Sequence, residues 1–542
     1  MNTADLIVEN ARLWGVPTAD GPRPDSIALR AGRIVAIGTR AELAPWRGAA
    51  TRQIDARSAS VTPGLTDAHL HLVAWARSAG ELTIDPAATL AEVVERLRAF
   101  AATRDDAVLI GRGWVAEHWS DGPDWESLEA AAAGRAVVLH SKDFHAVWAS
   151  RRAFELAGLD ERVSDPAGGR FDRDRHGRLT GVAREHAVRP LVALAAPERD
   201  RDLARVRDAV ARLHAEGITS VHVFEGPEES RVLRRALAGA PGGGVRVLAH
   251  VPHAQLDALL SVGIESGTGD DRFRIGGVKL FADGTLGSRT AAMLEPYDDG
   301  GGIGMELMSA RELRETIARA FAGGVSCAVH AIGDRAVRST LDAVEAAGEP
   351  ARVRLRVPPR IEHAQLVHAL DVPRFARLGV AASMQPSHAV TDTPTARTAW
   401  ASRLDTAYPW RTLETAGARL AFGSDAPVEP PSGAGGLFAC VARRAPGTSD
   451  ESVMSPAQRL DLERALVGFT RGPAALDGRG RQGGRLEPGA HGDLVVWDRD
   501  LFAAAGDSLA AARPLATLLA GELVHRDASV AAEVGEVSTC RS

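Results

Sequence analysis

The residues with the clearest chemical potential are two histidines, His69 and His71, which end the stretch Val61-Thr62-Pro63-Gly64-Leu65-Thr66-Asp67-Ala68-His69-Leu70-His71. The apolar run after the Pro-Gly turn predicts a β-strand, and residues two positions apart on a strand point to the same face. Neutral imidazole is the commonest nitrogen ligand for zinc and similar ions. The pair therefore predicts part of a divalent-metal site, although a lone pair of strand histidines is more often packed or hydrogen-bonded.

Four further polar residues lie in or at the ends of later apolar runs: Lys279, His330, His363 and Asp425. If those runs are parallel strands, the histidines and the aspartate meet at one edge and supply ligands for one or two divalent cations. An ammonium group cannot be a ligand. Lys279 carboxylated by carbon dioxide would instead carry an anionic carbamate able to bridge two cations, and the alternative is an ordinary lysine paired with Asp283.

Other interpretations of these residues stay open at this level. Asp425 precedes Ala426-Pro427 and is also suited to cap a helix N-terminus. Taken singly, His330 and His363 each fit a buried, hydrogen-bonded histidine that binds no metal. His222 and His250 also fall near strand ends, where we expect packing or supporting roles.

The elements that must position these residues are eight predicted strands separated by Ala-, Arg-, Leu- and Glu-rich helical stretches. The strands are Leu65–His71, Gly217–Val223, Val245–Val251, Ile275–Asp283, Val325–Gly333, Arg360–Leu366, Val380–Gln385 and Leu420–Asp425. Strands that alternate with helices indicate an α/β fold, and a count of eight favours a (β/α)8 TIM-like barrel over 62–482. Active sites of such barrels lie at the carboxyl ends of the strands, where the histidines fall.

Only the first gap between strands is too long for a single crossover. It contains strand-like runs at Ala107–Trp114 and Arg135–His140 and helical patterns at Leu90–Phe100 and Asp202–His214. A structureless loop of that length is implausible in a compact domain. We therefore expect an inserted subdomain over about 75–205 that leaves the end of strand 1 and roofs the active site.

Short strands also occur at both ends of the chain, in residues 5–60 and after residue 483. Neither set is large enough to bury a core alone, so we expect them to pair. The prediction is one small β-sandwich domain built from 1–61 and 483–530.

The composition is that of a globular enzyme: 45% hydrophobic, 25% charged and a net charge of −6 without clustering. We expect its partner to be a small-molecule substrate. Nothing indicates a nucleic-acid or membrane partner. The three cysteines Cys327, Cys440 and Cys540 are too sparse for a disulfide framework and favour a cytoplasmic location. The sequence leaves open whether the chain forms a homo-oligomer.

The motifs together resemble the amidohydrolase superfamily of metal-dependent hydrolases, and within it the YtcJ-like branch that includes N-substituted formamide deformylases. The resemblance lies in Pro-Gly-Leu-Thr-Asp-Ala-His69-Leu-His71, Val-Lys279-Leu-Phe-Ala-Asp-Gly-Thr-Leu-Gly-Ser-Arg-Thr-Ala-Ala, Val-His330-Ala-Ile-Gly-Asp-Arg-Ala, Arg-Ile-Glu-His363-Ala-Gln and Gly-Ser-Asp425-Ala-Pro-Val. It implies that His69, His71, His330, His363 and Asp425 are metal-site residues and that Lys279 is a carboxylated bridge.

The insertion is similar to the same branch in Gly113-Trp114, in residues 143–148 and in residues 180–185. We therefore treat His145, Glu185 and Arg289 as candidate substrate-binding residues. The chain departs from the branch at Val115, where an acidic residue is usual, and at Phe144, where glycine is usual, so its substrate is not defined by the resemblance.

The resulting hypothesis is hydrolysis of a non-peptide C–N bond in an amide, an N-substituted formamide or a cyclic amide by metal-activated water, with Asp425 as general base and acid. The cofactor is one or two zinc ions, with iron or manganese as alternatives. Hydrolysis of an ester, lactone or carbamate, deamination, and non-catalytic ligand binding are the competing functions.

Overall fold

The computed structural model describes residues 3–17, 22–116, 119, 122–195, 199–240 and 244–528. Its centre is an eight-stranded parallel sheet whose strands follow chain order: β1 Leu65–Leu70, β2 Ile218–Phe224, β3 Arg246–Pro252, β4 Phe273–Phe281, β5 Cys327–Ala331, β6 Arg360–His363, β7 Ala381–Met384 and β8 Leu420–Phe422. The eight predicted strands and the α/β class are confirmed. Several strands end earlier than predicted, most clearly β6 and β8.

The sheet is nearly closed, because the segment after β8 returns to β1. The backbone N–H of Asp425 donates to the carbonyl of His69 at 2.6 Å, and that of His71 donates to the carbonyl of Ala426 at 2.8 Å. Closure therefore occurs at the carboxyl ends of the strands, among the predicted ligands. The arrangement is that of a TIM-like barrel.

Amphipathic helices surround the barrel sheet. Helix Ala310–Ala322 illustrates their construction: Leu313, Ile317 and Phe321 recur at four-residue spacing and are buried, and a Ser309–Glu312 capping box starts the helix. The other helices of this part are Leu72–Ser78, Arg199–Ala215, Pro227–Leu237, Leu256–Ser261, Asp334–Ala346, Glu349–Arg352, Val372–Leu378, Pro386–Thr391, Thr393–Ala399, Trp410–Thr415, Gly433–Ala442, Leu462–Phe469 and Arg471–Ala474.

The long segment between β1 and β2 has a sheet of its own. In spatial order its strands are Gly169–Arg173, Leu179–Glu185, Ala146–Ala149, Ala136–Ser141, Val108–Trp114 and Leu82–Thr83. The helices Leu90–Ala102, Trp125–Ala132, Arg151–Leu156 and Arg189–Val192 accompany it. The following helix, Arg199–Ala215, runs across the predicted limit at residue 205 and packs against helices of the barrel ring.

The chain ends form two further sheets. One contains Leu6–Glu9, Ser26–Arg30, Arg33–Gly38 and Arg52–Asp55; the other contains Arg12–Leu13, Ser60–Pro63, Leu494–Trp497, Pro514–Leu519 and Glu522–Arg526. In the second sheet, Ser60–Pro63 pairs antiparallel with Leu494–Trp497. Strands from opposite ends of the chain therefore lie side by side, and the first of them leads directly into β1.

A buried ion pair joins the terminal sheets to the barrel. The guanidinium of Arg246, at the start of β3, donates to both carboxylate oxygens of Asp493 at 2.5 and 2.9 Å. The same carboxylate accepts the backbone N–H of Ala520 at 2.7 Å.

Cys327 and Cys440 are free buried thiols, whereas Cys540 lies outside the described residues. In the described part of the chain, no helix combines the length and apolar character that a bilayer span requires.

Candidate metal centre

Most of the predicted ligands lie at the carboxyl ends of the barrel strands. His69 lies in β1, His71 directly follows it, His330 lies in β5, and His363 ends β6. His363 and Asp425 adopt the left-handed backbone region, with φ of 73° and 60°. Non-glycine residues in that region are strained, and such strain concentrates at functional sites.

Three of the histidines present Nε2 to the site, because their Nδ1 atoms are held by other groups. Nδ1 of His69 bonds to a carboxylate oxygen of Glu362 at 2.7 Å, Nδ1 of His71 to the carbonyl of Phe224 at 3.0 Å, and Nδ1 of His363 to Oε1 of Gln385 at 2.8 Å. These partners are acceptors, so each Nδ1 carries a proton and each Nε2 is left with its lone pair. Burial also lowers the pKa of all three imidazoles. Neutral, oriented imidazoles are what a divalent cation requires.

Asp425 faces these nitrogens. Its Oδ1 lies 3.4 Å from Nε2 of His69 and 3.6 Å from Nε2 of His71. Two ligands about 2.1 Å from one tetrahedral zinc ion are about 3.4 Å apart, whereas hydrogen-bonded atoms are closer. The spacing of this trio therefore fits a shared cation, and the chemistry of the donors fits zinc or a similar metal.

A further histidine, His388, belongs to the centre but was not predicted. It lies on the helix Pro386–Thr391 after β7, and it forms a second ligand-spaced trio with His363 and Asp425. The only sequence signal is its position three residues after Gln385, near the end of a predicted strand. Reasoning from strand ends passes over it because a helix carries the side chain.

Lys279 and His330 adjoin the two trios but are not members of them. The ring of His330 lies 4.5 Å from that of His363, and its Nε2 bonds to the carbonyl of Gly284 at 3.0 Å, which leaves Nδ1 for another partner. The ammonium of Lys279 lies over the rings of Phe224 and Phe281, 4.6 and 5.0 Å from their centroids.

The ion pair between Lys279 and Asp283 that the sequence allowed is not formed. The Asp283 carboxylate instead accepts the backbone N–H groups of Ala292, Ile332 and Gly333. Burial lowers the pKa of Lys279 to about 8, although Glu362 and Asp425 oppose that change. The lysine is therefore partly neutral near physiological pH.

Sequence reasoning also missed a buried chain of polar groups beneath His69. The Glu362 carboxylate that holds His69 is itself bound by Nε of Arg360, and Nη1 of Arg360 donates to Nδ1 of His222 at 2.7 Å. Burial raises the pKa of Glu362, but the charges of Arg360 and Lys279 more than offset this and keep it low. A carboxylate–histidine–metal arrangement orients the ligand and increases its basicity. The signal in the sequence was the Arg-Ile-Glu-His run, whose alternate residues face the barrel interior.

The candidate substrate residues occupy the margin of the centre. The ring of His145 lies 5.3 Å from that of His330, and its Nδ1 pairs with the Glu185 carboxylate at 2.8 Å. Burial alone would lower the pKa of His145, but Glu185 raises it to about 9. Glu185 also accepts from Oγ1 of Thr290 at 2.6 Å. The third candidate, Arg289, points its Nε at Asp299, 2.8 Å away, and its Nη1 donates to the carbonyl of Leu286 at 2.9 Å.

The turn that carries His145 connects two opposite sides of the barrel mouth. Asp143 accepts from Oγ1 of Thr285 at 2.6 Å and Oγ of Ser288 at 3.1 Å, in the loop after β4. Its neighbour Lys142 donates to Glu429 at 2.6 Å, in the loop after β8. Four strands separate these loops around the sheet. Residues 141–146, which we name the mouth hairpin, therefore span the opening.

The fold and this centre together define an α/β barrel with a candidate metal site at the carboxyl ends of its strands. A family model described as the amidohydrolase family matches residues 52–525, and the chain belongs to this family. The resemblance predicted from the motifs is thereby confirmed.

Relatives extend over nearly the whole chain. It is 28% identical to "Putative amidohydrolase YtcJ" of Bacillus subtilis, over 93% of this chain and 97% of that protein. It is 27% identical to "N-substituted formamide deformylase" of Arthrobacter pascens, over 96% and 98%. A crystal structure of an uncharacterized metal-dependent hydrolase from Pyrococcus furiosus superposes with a TM-score of 0.70, at 27% identity over 90% of this chain and 98% of that one.

Proposed function

We propose that this protein hydrolyses a C–N bond other than a peptide bond, in a small amide, an N-substituted formamide or a cyclic amide. The observation that carries the proposal is the trio of His69, His71 and Asp425, whose ligand atoms lie at coordination spacing at the barrel mouth. The similarity to a deformylase over almost its full length supports the bond type.

The residues of the site would have separate roles in metal binding, proton transfer and substrate binding. His69, His71 and Asp425 would hold a divalent cation, most simply zinc, which would make a water molecule acidic enough to attack near neutral pH. Asp425 is placed to accept the proton from that water and to return it to the leaving nitrogen. His145, fixed by Glu185, would donate to the substrate from the other side of the site.

The surroundings of Lys279 support its carboxylation. Only a neutral amine reacts with carbon dioxide, and a pKa of about 8 provides a substantial neutral fraction. Its Nζ lies against the apolar rings of Phe224 and Phe281, in a buried environment that favours the neutral amine. The carbamate would add an anionic group beside His330 and His363.

The inserted segment supports a restricted substrate. The mouth hairpin crosses the opening, and Phe281, 37% exposed, offers an apolar surface beside His330. We propose that the segment over 75–205 roofs the site and selects small substrates with an apolar substituent on the nitrogen.

The test is turnover by the zinc-loaded protein on N-substituted formamides and cyclic amides, each beside an ester of the same shape. We expect amide hydrolysis to exceed ester hydrolysis. Asp425→Asn should lower turnover roughly 10²–10⁴-fold, the usual contribution of a general base, while its amide oxygen still permits zinc loading. Preference for esters would contradict the proposed bond type, and an active Asp425→Asn variant would remove Asp425 from the mechanism.

A further inference from the structure

The amino-terminal end of the barrel interior is closed by residues 476–480, which follow the helix Arg471–Ala474. The side chain of Leu476 is fully buried and forms one apolar cluster with Ala68, Ala381 and Ala421. A Cβ on Gly478 would lie 3.8 Å from Nη1 of Arg274, near the start of β4. The segment therefore crosses the end of the barrel opposite the candidate metal centre.

Arg479, in this segment, is a buried arginine with one edge of its guanidinium unpaired. Its side chain is 1% exposed. Nη1 donates to Oδ2 of Asp477 at 2.7 Å, and the backbone N–H of Arg479 donates to Oδ1 at 2.7 Å. Nε and Nη2 are buried and have no hydrogen-bond partner among the described residues. Such a pair of nitrogens is the fork with which arginine binds an anion at two points.

The charges around Arg479 make a further anion favourable there. Burial lowers the pKa of Arg479, and the Asp477 carboxylate opposes this, but the nearby guanidinium groups of Arg246 and Arg274 lower the pKa further. Arg246 is already matched by its own partner, Asp493. An anion at the unpaired edge would stabilise the buried guanidinium of Arg479.

Two further donors come from the inward face of β2. Ser220 and His222 alternate with Val221 and Val223, which pack in the core between the sheet and the helices. Nδ1 of His222 accepts from Nη1 of Arg360 at 2.7 Å, so the proton of the neutral ring is on Nε2.

These donors also lack partners. Nε2 of His222 and Oγ of Ser220 are buried without a hydrogen-bond partner in the part of the chain that the structure describes. Burial lowers the pKa of His222, and the charge of Arg479 is among those that lower it further, so the two side chains share the same interior. Each of the unpartnered atoms carries a hydrogen that can be donated to one acceptor.

We propose that Arg479, together with His222 and Ser220, binds a small monovalent anion of the halide class, such as chloride, inside the amino-terminal end of the barrel. Arg479 provides the charge and the fork, and the two neutral donors complete the site. The residues are 5%, 0% and 7% exposed, which favours a compact anion over a larger organic one. The site is remote from the candidate metal centre and independent of the proposed hydrolysis.

The experiment uses bromide as the probe and the full-length, zinc-loaded protein. Crystals soaked in sodium bromide are measured on both sides of the bromine absorption edge. Thermal unfolding is compared in sodium bromide and in sodium gluconate of equal ionic strength, for the wild type, Arg479→Gln and Asp477→Asn. Arg374→Gln is the matched control, because the guanidinium of Arg374 has its own carboxylate partners, Asp371 and Asp342, on outer helices.

We expect an anomalous peak beside Nε and Nη2 of Arg479 and a higher melting temperature in bromide, because an anion that binds only the folded chain stabilises it. Asp477→Asn removes the competing negative charge, so bromide should bind roughly tenfold tighter or more and the difference should increase. Arg479→Gln should melt at the same temperature in both salts, and the control should keep the wild-type difference.

A water molecule without anomalous signal at Arg479, bromide peaks confined to the molecular surface, or equal melting temperatures of the wild type in the two salts would overturn the site. A bromide effect that persists in Arg479→Gln, or that weakens in Asp477→Asn, would also contradict it. If Arg479→Gln does not fold, the wild-type crystals and Asp477→Asn still decide the question.

Discussion

At the scale of single residues, Glu362 fixes the orientation of the His69 ring at the candidate metal centre. Its carboxylate accepts from Nδ1 of His69, and Arg360 neutralises its charge. All three side chains are almost fully buried. Water therefore cannot replace Glu362 as the partner of the histidine.

Replacing Glu362 with glutamine should weaken zinc binding roughly 10–100-fold, as removal of such supporting carboxylates usually does. A neutral amide is a weaker acceptor for His69, and it leaves the guanidinium of Arg360 without its counter-charge. The measurement is zinc affinity by competition with a chromophoric chelator. Asp493→Asn is the control, because it breaks a buried arginine–aspartate pair remote from the centre; equal affinities in all three proteins would contradict the role of Glu362.

Carboxylation of Lys279 can be observed directly. Protein equilibrated with ¹³C-bicarbonate should give a carbamate carbon resonance, because the pKa of about 8 leaves neutral amine available. The signal should strengthen as the pH rises through this pKa, since deprotonation produces the reactive form. Its absence from Lys279→Ala assigns it, and a wild-type spectrum without the signal would mean that Lys279 is not carboxylated under these conditions.

At the scale of elements, Asp143 holds the mouth hairpin to the loop after β4. Replacing Asp143 with alanine removes acceptors from Thr285, Ser288 and the hairpin's own Ser141. We expect faster hydrogen exchange in 141–146 and 284–290 and a higher KM, with zinc content unchanged, because the ligands lie on other elements.

Asp174→Ala is the matched control for this prediction. Asp174 is a turn-forming aspartate of the same insertion, and it accepts from the backbone of His176 and Arg178. Its removal should loosen only its own turn. If Asp143→Ala and Asp174→Ala give the same exchange pattern and KM, the hairpin is not anchored by Asp143.

The sequence predicted the barrel well because its strands are short buried runs between amphipathic helices, and both patterns can be recognised from residue types alone. It extended β8 to Asp425, whereas the strand ends at Phe422, because the left-handed φ of Asp425 depends on contacts with β1 that the pattern does not contain. His388 and Glu362 were missed for a related reason: their roles follow from which residues lie opposite them in the folded barrel. The limits of the insertion and of the terminal domain stay predictions.

At the scale of the whole molecule, Arg246 and Asp493 join the barrel to the sheets formed by the chain ends. Asp493→Asn should lower the free energy of unfolding by roughly 3–5 kcal/mol, because it leaves a buried guanidinium unpaired. The measurement is denaturant unfolding. Activity per folded molecule should not change, and a variant as stable as the wild type would show that the pair does not contribute.

The pairing of Ser60–Pro63 with Leu494–Trp497 sets the order of events during synthesis. Nε1 of Trp497 donates to Oγ1 of Thr62 at 3.0 Å, across 435 positions of the chain. At about 5–20 residues per second, a ribosome needs roughly 20–90 s to make the intervening segment. Throughout that time Ser60–Pro63, which leads into the strand of His69, has its parallel neighbour Arg12–Leu13 but lacks its antiparallel neighbour. The strand pair that leads into the candidate metal centre therefore forms only after nearly the whole chain has been synthesised.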